Sequence, residues 1–241
     1  MAELNLNWQT QEITPTLVSG EDALRLYNLI PEKARVGLRY DESTQTIIGS
    51  TPFAVAVLDV EAQKYGARSP NLRDLSRSEI MKIAQGKHYI DSKVLVARSQ
   101  NDTNWPKNNS LLKTIYELAE EKLGRIEKPF MIEGFTFEEN PQDVNGYGLN
   151  LVANQDFKVT QDERLNGEYN RMSFSEVDEL GLPKFGDGKR TWYAKNNGLS
   201  GLFLDAYLYL NSYDDDLFMS NDKGRVVVVS AGGAENFSGS I

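Results

Sequence analysis

Apolar and polar positions alternate most regularly near the C-terminus. Between Leu202 and Leu210 every second residue belongs to one apolar set, with Ala206 standing in the leucine phase. A period of two puts successive side chains on opposite faces of a strand. The reading is an inward leucine set and an outward set of Gly201, Phe203, Asp205, Tyr207, Tyr209 and Asn211. Four consecutive valines, Val226 to Val229, follow Lys223-Gly224-Arg225 and read as a strand buried on both faces.

Upstream, the periods change. Ser19 is placed to cap a helix from about Gly20 to Leu29, which Pro31 stops. Arg35 to Tyr40 and Gln45 to Ile48 read as a hairpin around Asp41-Glu42-Ser43, and Phe53 to Val60 as a mostly buried strand. Ser76-x-x-Glu79 and Ser173-x-x-Glu176 have capping-box spacing and predict short helices ending at Gly86 and near Gly181. Leu111, Leu112, Ile115, Leu118 and Leu123 form a helical stripe closed by Gly124. Val94 to Ala97, Phe130 to Phe137 and Gly148 to Phe157 read as strands.

Helices in the middle and a strand-rich end predict an α+β domain, not a βαβ repeat. The expected organisation is an N-terminal extension over residues 1–60, packed on a main domain over 61–230, and a mobile Gly/Ser-rich tail over 231–241. A second boundary signal falls at Gly66 to Asn71.

Charge and composition narrow the function classes. The 241-residue chain carries a formal net charge of −9 and has no Lys/Arg stripe interleaved with aromatics. Such a surface repels phosphate, so no nucleic-acid partner is expected. There is no cysteine, which removes disulfides and thiol chemistry. Met1 to Trp8 has neither the basic start nor the apolar run of a signal peptide. The longest apolar run, Phe53 to Leu58, is too short to span a bilayer. No membrane insertion is expected, the location is read as cytoplasmic or virion-associated, and a monomer is favoured.

Catalytic and metal signals are weak. Asp214-Asp215-Asp216 lacks the Asp-x-Asp-x-Asp-Gly frame and distal Glu of a calcium loop, and reads as an acidic turn. His88 is the only histidine, with no triad or zinc partners singled out. Gly186-Asp187-Gly188-Lys189 lacks phosphate-loop spacing and reads as a turn. No catalytic residue, metal or cofactor is expected.

The vocabulary of the C-terminal segment is more informative. Asn197 to Asp222 is rich in Tyr, Asp, Asn, Ser, Gly and Phe. Lys, Glu, Gln, Trp and Met together make up 50 of 241 residues, so about five are expected in this window by proportion. It holds one, Met219. Randomising the two adenines of an A-A-pyrimidine codon reaches Tyr, Asp, Ser, Gly, Phe, Ala, His and Asn, and never Lys, Glu, Gln, Met or Trp. A leucine frame has no such adenines and stays fixed.

Gly198-Leu199-Ser200-x-Leu202-x-Leu204, then Leu208-x-Leu210-x-Ser212, Leu217, Ser220 and Gly224-Arg225 with the four valines, resembles the variable region of target proteins of diversity-generating retroelements. It is most similar to the type found in archaea, their viruses and candidate-phyla bacteria. In that family, adenine-directed errors of a reverse transcriptase are written into the 3′ end of the target gene. The resemblance covers about forty residues. It implies a C-type-lectin-like fold akin to formylglycine-generating enzymes, and a role in binding varied ligands such as proteins or cell-surface molecules. The cysteine chemistry of those enzymes is excluded in this chain. The residues it implies for the ligand-binding face are Tyr193, Gly201, Phe203, Asp205, Ala206, Tyr207, Tyr209, Asn211, Tyr213, Asp214, Asp215, Asp216, Phe218, Asn221 and Asp222. Trp192 belongs to the fixed frame, and Met219 falls outside the vocabulary. Tyr with Asn, Ser and Gly is also the composition of antibody paratopes. The alternatives are a virus-particle attachment protein with a fixed interface, or an enzyme of unrecognised type.

Overall fold

The computed structural model describes residues 13–167 and 171–231. The expected segment Met1 to Trp8 lies outside them, as does the expected tail beyond residue 231. In chain order the regular elements are β1 (Ile13–Leu17), α1 (Gly20–Leu29), β2 (Arg39–Asp41), β3 (Thr46–Ile48), α2 (Pro52–Gln63), β4 (Ala67–Arg68), α3 (Ser78–Ala84), β5 (Ile90–Ala97) and α4 (Asn108–Leu123). There follow β6 (Phe130–Glu139), β7 (Leu149–Gln161), β8 (Arg171–Val177), β9 (Pro183–Phe185), β10 (Arg190–Ala194), β11 (Leu199–Leu204), β12 (Leu210–Ser212) and β13 (Val227–Ala231). The protein is α+β. Among the described residues, no helix is long and apolar enough to cross a membrane.

An eight-stranded sheet runs β7-β6-β5-β11-β12-β10-β8-β9, and a three-stranded sheet runs β1-β13-β4. Two buried apolar clusters pack against them. Alternation in β5 divides its side chains: Leu95 and Ala97 join the cluster that includes α2 and α4, while Val94 and Val96 join the other. The valine strand does the same. Val226 and Val228 enter the first cluster, Val227 and Val229 the second, and all four are at most 2% exposed.

Three expected elements are corrected. Phe53 to Val60 is not a strand but the body of helix α2. Thr51 caps that helix by accepting a hydrogen bond from the Ala54 amide at 3.2 Å, and Pro52 occupies its first turn. Most of its residues are buried, so the run is apolar on every side and shows no helical stripe. Ser173-x-x-Glu176 lies in strand β8, paired with β10 and β9, and forms no helix. The Ser76 capping box is also not made: α3 begins at Ser78, and the Ser76 hydroxyl accepts from the Arg190 guanidinium at 2.9 Å.

The expected break at residue 60 falls inside α2, which packs on β5 and β6. Strand β1 pairs antiparallel with β13, Ile13 opposite Ala231. Residues 13–60 therefore supply both core and sheet to the domain. Ala231, the first residue of the expected tail, is the last residue of β13.

Candidate functional site

The segment after β10 is built on buried polar anchors. Lys195 and Asp102 are fully buried, with Nζ to Oδ2 at 3.4 Å, and Lys195 also pairs with Asp215. Burial pushes the Lys195 ammonium down to about 8, against the opposing pull of Asp102. The Asn108 amide donates to Asp102 Oδ2 at 2.7 Å and to the Asp215 carbonyl at 3.1 Å. Tyr147 donates to Asn108 at 2.8 Å and accepts from the Leu217 amide at 3.2 Å. The Arg98 guanidinium bonds Ser200 and Ser212, tying β11 to β12. These groups hold the ends of the exposed loops in place.

The expected single strand from Leu202 to Leu210 is broken. β11 ends at Leu204, a turn spans Asp205 to Tyr209, and β12 pairs back on β11. Asp205 makes the turn: its Oδ1 accepts from the amides of Tyr207 at 2.8 Å and Tyr209 at 2.9 Å. Leu208 sits there at φ +65°, a region costly for a residue with a Cβ. Asn211, Asp216 and Asn221 likewise accept from the amides two residues on, those of Tyr213, Phe218 and Lys223. Such local bonds are why Asp and Asn suit turns.

Apart from Asp205 and Asn211, which shape the turns, the expected face divides into three groups. One lines a cleft of about 130 Å³ between β11 and the loop after β12, which brings together Gly201, Phe203, Asp214, Asp216 and Asn221. Pro52 of α2, Tyr89 just before β5 and Asp91 within it complete the cleft, with Leu217 and Met219. Gly201 is buried here, and a Cβ added to it would stand 3.2 Å from the Pro52 ring.

A second group is aromatic. Tyr193 and Tyr213 stack with centroids 4.6 Å apart, and the Arg171 guanidinium lies 5.4 Å over Tyr193 and 5.9 Å over Tyr209. Tyr207, beside Tyr209, is 79% exposed. Ala206 adjoins this group and accepts through its carbonyl from the Gly86 amide at 2.8 Å, fastening the turn to the end of α3.

The third group is structural or peripheral. Asp215 compensates Lys195. Phe218 packs its ring 5.1 Å from Phe53 and 4.7 Å from Tyr147. Asp222 stands apart, 3.4 Å from Arg39.

The electrostatics of the cleft come from a residue the sequence did not single out. Asp91 is 5% exposed, and its Oδ2 has no hydrogen-bond partner among the described residues. Burial pushes its carboxyl up to about 7; the Ser50 hydroxyl opposes this and the charge of Asp214 adds to it. Burial also raises Asp214, and raises the Tyr89 phenol with help from Asp91. Asp91 lies in β5, whose eight residues are all buried, upstream of the Val94–Ala97 stretch that reads as a strand in sequence. Among the described residues, no group of three or more His, Cys, Asp or Glu side chains is arranged to hold a metal ion.

Comparison with protein-family models, with curated proteins and with solved structures gives no match for this chain.

Proposed function

We propose that the chain is a non-enzymatic ligand-binding protein. Its segment from Trp192 to Val229 would present a diversified face on a C-type-lectin-like scaffold, as the resemblance to retroelement target proteins implies. One observation carries this reading. Leu199, Leu202, Leu204, Leu210, Leu217 and the four valines are at most 2% exposed. Of the fifteen residues assigned to the variable face, only Gly201 is buried. Ten of the fifteen are half-buried and Tyr207, Tyr213, Asn221 and Asp222 are exposed, while Leu208 is the one half-buried leucine of the frame. A mostly closed frame beside residues that reach solvent is the division that a protein needs if its contacts are to change while its fold does not. Tyr193, Tyr207, Tyr209 and Tyr213 give large contact area with few rotors.

The nucleotide sequence of the gene and its flanks tests this directly. The expected result is a near-copy of the Trp192–Val229 coding segment, differing only where the copy has adenine, beside a reverse-transcriptase gene. A locus with no repeat, and outward codons ending freely in purines, would sink the reading.

A further inference from the structure

We infer that the cleft between β5, β11 and the loop through Asp214 and Asp216 receives a protonated amine on an apolar stem, a lysine side chain of a protein ligand. The inference rests on the ligand-binding reading above and names the chemistry of its site. Three carboxylates line the cleft, Asp91, Asp214 and Asp216, and no Lys or Arg does so among the described residues. Asp91 is the decisive one. It is nineteen-twentieths buried, with the Ser50 hydroxyl nearby but no hydrogen bond of ordinary geometry to its Oδ2, and a poorly met buried acceptor is costly. An ammonium supplies three donors and a positive charge, so it can serve Asp91 and Asp214 together.

The walls suit the stem. Phe203, Leu217, Met219 and Pro52 are apolar, and the Tyr89 and Phe203 rings meet edge-on at 5.9 Å. Lysine buries its methylenes along such a surface while its head reaches the charge. A volume of about 130 Å³ matches one side chain; pockets for drug-sized ligands run to roughly 300 Å³ and above. Anions are repelled by the three carboxylates.

Asp91, Tyr89 and Pro52 lie outside Trp192–Val229. The charge anchor is therefore constant, while the variable positions around it decide which lysine, in which surroundings, is accepted.

Amide NMR titration of the full chain tests this, with Nα-acetyl-lysine amide and, as the neutral match, Nα-acetyl-norleucine amide. Saturable shifts are expected for the lysine probe at Gly201, Phe203 and Asn221, with norleucine at least tenfold weaker. Affinity should rise from pH 5 to pH 8 as Asp91 ionises beside Asp214, Asp216 and Tyr89, and Asp91→Asn should weaken it at least fivefold. Asp214 sits partly exposed in a loop, so Asp214→Asn provides the same reading should the Asp91 variant fail to fold. Butylammonium separates the sources: equal affinity makes a free amine sufficient, while tighter lysine amide points to a polypeptide, and either outcome supports the cleft. Equal binding of lysine and norleucine, or no effect of the carboxylate variants, overturns it. Lysine binding at a locus without a template copy would sink diversification alone; a template copy without lysine binding would sink this inference alone.

Discussion

Asp215, a residue of the codon-restricted vocabulary, is ion-paired to Lys195, whose side chain is fully buried. The loop thus contains a position that looks replaceable in sequence and is not replaceable in energy. Asp215→Ala leaves Lys195 with Asp102 and the nearby charge of Asp214, so losing this quarter-exposed partner should cost about 1–3 kcal/mol. Chemical denaturation of the variant measures it; a loss below about 0.5 kcal/mol, the usual size for a surface change, would place Asp215 among the free positions.

Tyr207 should behave oppositely. It is 79% exposed, and Tyr207→Ser should change stability by no more than about 0.5 kcal/mol. Phe218→Ala removes a ring packed on Phe53 and Tyr147 and should cost about 2–4 kcal/mol. Paired denaturation curves for the two variants check both claims, and similar losses would erase the division between packed and free positions within the fifteen assigned residues.

The cleft has a pH signature. The Asp91 pKa is raised by folding to about 7, so its ionisation opposes the folded state. The penalty is absent below about pH 4, grows between 4 and 7, and is complete above, at about 4 kcal/mol by linkage. Asp214, Asp216 and Tyr89 face the same cleft. Asp91→Asn should therefore be more stable than the parent by about 1–3 kcal/mol at pH 8, less than the full penalty because the amide still lacks partners. At pH 4 it should show no gain. Melting curves at the two pH values test the sign.

Gly201→Ala should narrow the cleft from its inner wall. The new Cβ meets the Pro52 ring at 3.2 Å, so a stability loss of about 1–2 kcal/mol is expected along with weaker binding of the lysine probe. Unchanged titration shifts with this variant would remove Gly201 from the cleft lining.

Much of the fold was legible where one period dominated. The first turns of the α4 stripe are buried, Leu111, Leu112 and Ile115 being at most 1% exposed, but Leu118 is half-buried and Leu123 is 43% exposed; the valine run predicts a strand buried on both faces. Helix α2 was misread because an element apolar all round carries no period; the sign of a helix was Thr51-Pro52 at its start, not its interior. The alternation from Leu202 to Leu210 was real in sequence but was cut by Asp205, whose side chain bonds two amides and closes a turn. The exposed vocabulary was found by composition. Tyr89 and Asp91 were not, because a cleft is made by elements distant in sequence, and nothing local in β5 announces that β11 and the loop after β12 lie against it.

The valine strand gives the segment before it a tolerance for length. A one-residue slip of a strand exchanges its two faces. Across Val226 to Val229 the exchange replaces Val226 and Val228 by Val227 and Val229, so both cores receive the same side chain. The ends decide the outcome. A deletion in the loops draws Ser230 toward a buried place, whereas an insertion pushes Arg225 into one, and a guanidinium is far harder to bury than a hydroxyl. The run of identical residues thus works as a ratchet of uneven teeth: the loops above it can be shortened by one residue more readily than lengthened.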